Sequence, residues 1–160
     1  FLFEDRSGFL DQLRAEIKSA IRSSEKKGLV PCFRLNLTSD FKWEETGIFE
    51  EFPEVQFYDY TKGKNRMIEY LEGNLPPNYH LTYSRSEKKG DSVHSKAFLA
   101  SGGNVAVVFR GKLPKKWHGY AVINGDESDL RFLDGTGKVI GLVEKGLAKK
   151  DETGFVVEAL

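Results

Sequence analysis

The sequence predicts an α/β fold, either a partial (β/α) barrel or an open, mainly parallel sheet, with a β-rich C-terminal third. Three observations point to it. At least four apolar, β-branched or aromatic runs stop abruptly in polar clusters. Phe33–Leu37 ends at Thr38-Ser39-Asp40, Val55–Tyr58 at Asp59-Tyr60-Thr61-Lys62, His80–Tyr83 at Ser84-Arg85-Ser86-Glu87, and Val105–Phe109 at Arg110. Helix-like segments separate most of these runs, which is the rhythm of parallel β–α units. After Gly111 the rhythm changes to short strand-like runs across Gly- and Asp-rich turns, with no room for helices.

Ser7 to Lys27 reads as an amphipathic helix, because Phe9, Leu10, Leu13, Ile17, Ala20 and Ile21 share one face. Ser7 is its expected N-cap and Gly28 its C′ residue. Leu29–Leu37 is the first expected strand. Asp40 to Phe52 is an excursion with a short helix at Ile48–Phe52, closed by Pro53. Val55–Tyr60 is the second strand. Lys64–Leu71 is a helix with Met67, Ile68 and Leu71 inward, ended by Gly73 and Pro76-Pro77. Asn78–Ser84 is the third strand, Lys88–Asp91 a turn and Ser92–Ala100 a helix ended by Gly102-Gly103. Val105–Phe109 is the fourth strand. It is the most uniformly apolar, and so should be central.

In the last third, Tyr120–Ile123, Leu130–Leu133 and Val139–Val143 read as short strands, and Phe155–Val157 as a final apolar run. Asn124-Gly125-Asp126 and Asp134-Gly135 read as hairpin turns. No linker or low-complexity segment divides residues 1–160, so one domain is expected. The opening Phe1-Leu2-Phe3 lacks the basic region of a signal peptide and reads as the start of a fragment or a processed product.

Net charge is zero, from 24 Lys plus Arg against 24 Asp plus Glu. That argues against bulk electrostatic wrapping of nucleic acid, while leaving room for a local basic patch. No run is long enough to span a membrane as a helix. The single cysteine, Cys32, rules out an internal disulfide, fits a reducing cytoplasmic setting and reads as a core residue.

In parallel α/β folds the C-terminal strand ends lie on one edge, and sites are built there. Asn36, Thr38, Ser39 and Asp40 offer an amide, hydroxyls and a carboxylate at the first strand end; the competing reading is a capped turn. Arg85 supplies a planar fork for phosphate or carboxylate, with Glu87 as its pair or as a base; a solvated turn competes. Lys62, Arg85 and Arg110 finish neighbouring strands. Their convergence would favour an anionic ligand. Asp126 lies in the acidic run Asn124-Gly125-Asp126-Glu127-Ser128-Asp129, which could suit a divalent cation but lacks EF-hand spacing, so a hairpin turn is preferred. Lys112–Tyr120 interleaves cations and aromatics, as nucleic-acid stacking requires, but reads better as a loop anchored by one Trp. The Lys-Lys pairs at 26–27, 88–89, 115–116 and 149–150 read as solvated surface charge. Gly135-Thr136-Gly137 fails the dinucleotide pattern, because the third glycine comes at 141 and no helix follows. His80, His94 and His118 have no metal-ligand spacing, and no metal site is expected.

Arg34–Asp40, Val55–Lys62, Tyr79–Glu87, Gly103–Arg110 and Asn124–Glu127 together, in this order, resemble the gene-product-eighty-eight-like family of bacteriophage proteins. The resemblance runs from Phe3-Glu4-Asp5-Arg6 to Asp151-Glu152-Thr153-Gly154-Phe155. It implies a partial (β/α) barrel related to radical S-adenosylmethionine folds, in the cytoplasm of a phage's host, with no established molecular function. The family usually carries a cysteine-rich segment upstream, which these residues lack. An iron–sulfur cluster with S-adenosylmethionine is expected only where that segment exists, and no cofactor within this chain. The family also usually shows Gly where Leu37 stands.

The functional expectation is therefore a strand-end site for an anionic, nucleotide-like or phosphate-bearing small molecule. The alternative is a non-catalytic phage accessory protein that binds a host protein or nucleic acid. A third reading is a folded but inactive paralogue.

Overall fold

The computed structural model describes residues 4–159. Eight strands form one sheet: β1 (Cys32–Phe33), β2 (Gln56–Thr61), β3 (Tyr79–Ser84), β4 (Asn104–Phe109), β5 (Lys116–Trp117), β6 (Tyr120–Asn124), β7 (Val139–Val143) and β8 (Val156–Val157). Their order is β1-β2-β3-β4-β7-β6-β5, with β8 on β4. Every pairing is parallel except β5 with β6. The sheet stays open, with β1 and β5 at opposite edges, so the open-sheet expectation holds and no barrel closes. β4 is central, as its apolar run predicts. One of its edges pairs with β7. The other pairs with β3 through Asn104–Ala106 and then with β8 through Val108–Phe109.

Alternation along the strands sorts the two faces. Phe57, Leu81, Tyr83, Val105, Val107, Phe109 and Val139 point to the helical side and form the core with Ile17, Ile48, Phe49, Met67, Phe98 and Leu99. Those last residues come from α1 (Arg6–Lys26), α2 (Ile48–Glu51), α3 (Lys64–Leu71) and α4 (Asp91–Ala100). Tyr58, Tyr60, His80, Thr82, Ser84, Ala106, Ile140 and Leu142 occupy the opposite face. The connection from β6 to β7 crosses that face, and its Phe132 ring packs 5.5 Å from Tyr58.

Several elements differ from the sequence reading. Helix α1 is capped by Asp5, whose Oδ1 accepts the Gly8 amide at 2.9 Å, two residues before the N-cap expected at Ser7. β1 is two residues rather than nine. Pro31 has no N–H to give, and the Asn36 amide bonds the Asp59 carboxylate rather than a strand carbonyl. Cys32 is consequently half-buried on the edge strand, not in the core. In α3 Ile68 is exposed and Arg66 takes the buried place, 3% exposed, because Asp40 and Glu44 neutralise it.

Leu130–Leu133 is no strand. Arg131–Leu133 form a 3₁₀ turn whose buried member is Arg131. Asn124-Gly125-Asp126 makes no hairpin, because β6 and β7 run parallel and the segment opens a long crossover. The hairpin lies earlier, between β5 and β6. There His118 (φ 49°) and Gly119 (φ 87°) both adopt positive φ, as a tight primed turn demands. Trp117 of this hairpin is buried, consistent with an anchored loop.

Candidate functional site

With β1, β2, β3, β4, β7 and β6 parallel, their C-terminal ends share one edge of the sheet. Two loops rise there and face each other: Asn36–Asp40 after β1 and Gly125–Asp129 after β6. Between them Tyr60, Ser84, Ala106 and Leu142 form a floor, and the whole encloses a cavity of about 730 Å³. Small-molecule sites typically span about 300–1,000 Å³.

The first wall is built around Asn36, which is 1% exposed. Its Oδ1 accepts from the Ser39 hydroxyl (2.7 Å), the Phe41 amide (3.1 Å) and the Trp43 indole (3.1 Å). Its Nδ2 donates to the Phe41 carbonyl (2.8 Å) and to Asp59 (3.2 Å). Asp59 also accepts the Asn36 amide and, at 3.1 Å, the Tyr79 hydroxyl. Burial pushes the Asp59 carboxyl up to about 6, against these hydrogen bonds and the Arg66 charge, which lower it. Asp40 is also committed: Oδ1 to Arg66 (2.6 Å), Oδ2 to the Thr61 hydroxyl (2.9 Å) and the Lys62 amide (2.8 Å).

The second wall is held from behind. Asp126 accepts the Val143 amide (3.0 Å) and Lys145 Nζ (2.6 Å), and the lysine bond holds its carboxyl below the usual range. Beneath the loop the buried Arg131 donates to the Ser128 carbonyl and lies 3.2 Å from Asp134. A Cβ on Gly125 would stand 2.6 Å from Ile140 Cγ2 and 3.0 Å from Arg131 Nη1, so glycine lets the loop sit this low. Arg34 ties the walls together. It donates to the Asn36 carbonyl (3.0 Å), pairs with Asp129 (3.3 Å) and covers the Tyr60 ring at 4.7 Å.

Of the residues singled out from sequence, Asn36, Thr38, Ser39, Asp40, Lys62 and Asp126 line the cavity; Arg85, Glu87 and Arg110 do not. Arg85 turns to the C-terminal segment, donating to the carbonyls of Gly154 (2.9 Å) and Phe155 (3.1 Å). Arg110 bonds Glu158 and the carbonyls of Lys149 and Asp151. Glu87 is exposed on the loop before α4. Both arginines thus fasten the strap that carries β8. Lys62 Nζ rests 4.9 Å over the Phe155 ring of the same strap.

Tyr60, Ser84, Arg34 and Asp129 line the cavity without having been selected from sequence. The period-2 rule could have found the first two, since they point to one face from adjacent strands. Arg131 carries no sequence signal. The hydroxyls of Thr38, Tyr60 and Ser84 have no hydrogen-bond partner among the described residues, and Lys62 Nζ has no ion pair there. No three His, Cys, Asp or Glu side chains converge among the described residues to hold a metal, and no helix is long and apolar enough to cross a membrane.

A family model described as Gene product 88 matches residues 1–159. No curated protein and no solved structure matches the chain.

Proposed function

We propose that this chain, which belongs to the Gene product 88 family, binds a polar, phosphate-bearing small molecule of nucleotide type at the C-terminal edge of its sheet. The observation that carries the reading is the strand-end cavity, whose hydroxyls at Thr38, Tyr60 and Ser84 are left without protein partners while the surrounding carboxylates and amides are bonded among themselves. Hydroxyls that face a cavity without a protein partner are free to bond a ligand or water. Glu127 and Asp129 on the rim can accept from sugar hydroxyls. The fixed walls favour binding without a large rearrangement.

Calorimetric titration with nucleosides and nucleotides tests the reading, with Ser84→Phe filling the cavity floor. Binding to the wild type that is lost in Ser84→Phe, with the fold intact by circular dichroism, is the expected result. Binding that survives Ser84→Phe unchanged places the ligand elsewhere and overturns it.

A further inference from the structure

A second cavity, of about 490 Å³, adjoins the first and shares Asp40, Thr61 and Lys62 with it. The two differ sharply in charge. The strand-end cavity is bordered by Asp40, Asp126, Glu127 and Asp129 against Arg34 and Lys62. The adjoining cleft is bordered by Lys42, Lys62, Lys64, Arg66 and Lys88 against Asp40 alone. That one acid is spent on Arg66, Thr61 and the Lys62 amide. Lys42 pairs with Glu45 at 3.1 Å, whereas Lys62, Lys64 and Lys88 have no ion pair among the described residues. In a chain of zero net charge, three lysines without an ion pair around one concavity form a local positive excess that favours an anion.

We infer that this lysine cleft is the phosphate subsite of the ligand, whose uncharged, hydroxyl-bearing body lies in the strand-end cavity. The inference rests on the proposed function and assigns the ligand's orientation: phosphate over Lys62 toward Lys64 and Lys88, body toward Tyr60 and Ser84. The acidic rim of the first cavity repels a phosphate and accepts from hydroxyls, so only this orientation satisfies both concavities. The backbone agrees with the side chains. Helix α3 opens on the floor of the cleft with no side-chain cap, and its first intrahelical bond is Met67 to Gly63. The Lys64, Asn65 and Arg66 amides have no protein acceptor, and such amides favour anions. A Cβ at Gly63 would meet Thr61 Oγ1 at 3.1 Å, so glycine suits the close approach of the chain to Thr61 here.

The test uses the full chain, inorganic pyrophosphate and a nucleoside as separate probes, followed by amide nuclear magnetic resonance. Pyrophosphate should shift the Lys64, Asn65 and Arg66 amide signals. Its affinity should fall about tenfold in Lys64→Ala and stay unchanged in Lys27→Ala, at the far end of α1. Equal weakening in both variants, or pyrophosphate shifts confined to other residues, overturns the subsite. The two readings fail separately. Loss of nucleoside binding with pyrophosphate still held in the cleft refutes the strand-end cavity alone. Nucleoside binding with no pyrophosphate response refutes the cleft alone.

Discussion

Asn36 shows how a residue chosen for function proves to be a structural hub as well. It lines the cavity, yet its side chain is consumed by Ser39, Phe41, Trp43 and Asp59. It shapes the wall that presents Thr38 rather than meeting a ligand itself. Truncation to alanine strands the Trp43 indole and the Phe41 amide in a buried setting. An unsatisfied buried donor costs about 1–3 kcal/mol. Asn36→Ala should therefore lower unfolding free energy by about 3 kcal/mol, read as a drop in the urea midpoint by tryptophan fluorescence. A loss below about 1 kcal/mol would mean that water replaces the amide and that the hub is not held by this side chain.

Helix α3 marks both the reach and the limit of sequence reading. Its span, Lys64–Leu71, follows from local pattern and matches the expectation. Its buried face matches only in part: Met67 and Leu71 pack inward as expected, but Ile68 does not, and Arg66 goes inward because Glu44 and Asp40 arrive from 22 and 26 positions upstream. Periodicity sees no such pairing. The same blindness explains the last third: Leu130–Leu133 has strand-like composition, but Arg131 among them is buried beneath the crossover, and an alternating pattern does not describe a 3₁₀ turn. The strand-end wall at Asn36–Asp40 was legible because a parallel sheet gathers such ends on one edge. The destination of Arg85 and Arg110 was not, since β8 returns to β4 from far along the chain. The Arg66 pairing carries its own expectation. Arg66→Met leaves Glu44, 7% exposed, without its partner. Removing one partner of a buried pair costs about 3–5 kcal/mol. Adding Glu44→Gln removes the stranded charge, so the double variant should be more stable than Arg66→Met alone in urea titration; a double variant that is less stable would show Glu44 to be solvated without the arginine.

Two titrating groups, the buried Asp59 on β2 and the half-buried His80 on β3, give the fold opposed responses to pH. Asp59 faces Arg66, Arg34 and Tyr79, and burial lifts its carboxyl to about 6. His80 faces Arg131 and bonds the Tyr70 hydroxyl at 3.1 Å, and burial with the Arg131 charge lowers it to about 4. In the folded protein between these values Asp59 is protonated and His80 neutral. In the unfolded chain, with ordinary values near 3.8 and 6.5, Asp59 is charged and His80 protonated. Folding thus takes up a proton at Asp59 and releases one at His80. Stability from Asp59 falls as pH rises from about 4 to 6, that from His80 rises over the same window, and the slopes oppose each other. At about 1.4 kcal/mol per pKa unit each amounts to about 3 kcal/mol. The difference between variant and wild type isolates either group from the surface carboxylates. Relative to wild type, His80→Gln should lose about 3 kcal/mol more on going from pH 4 to 6, and Asp59→Asn should gain about as much, by urea unfolding at each pH. Difference slopes of the same sign in the two variants would mean that one of these groups is solvated in the folded state, and that the polar network behind the first cavity wall is open to water.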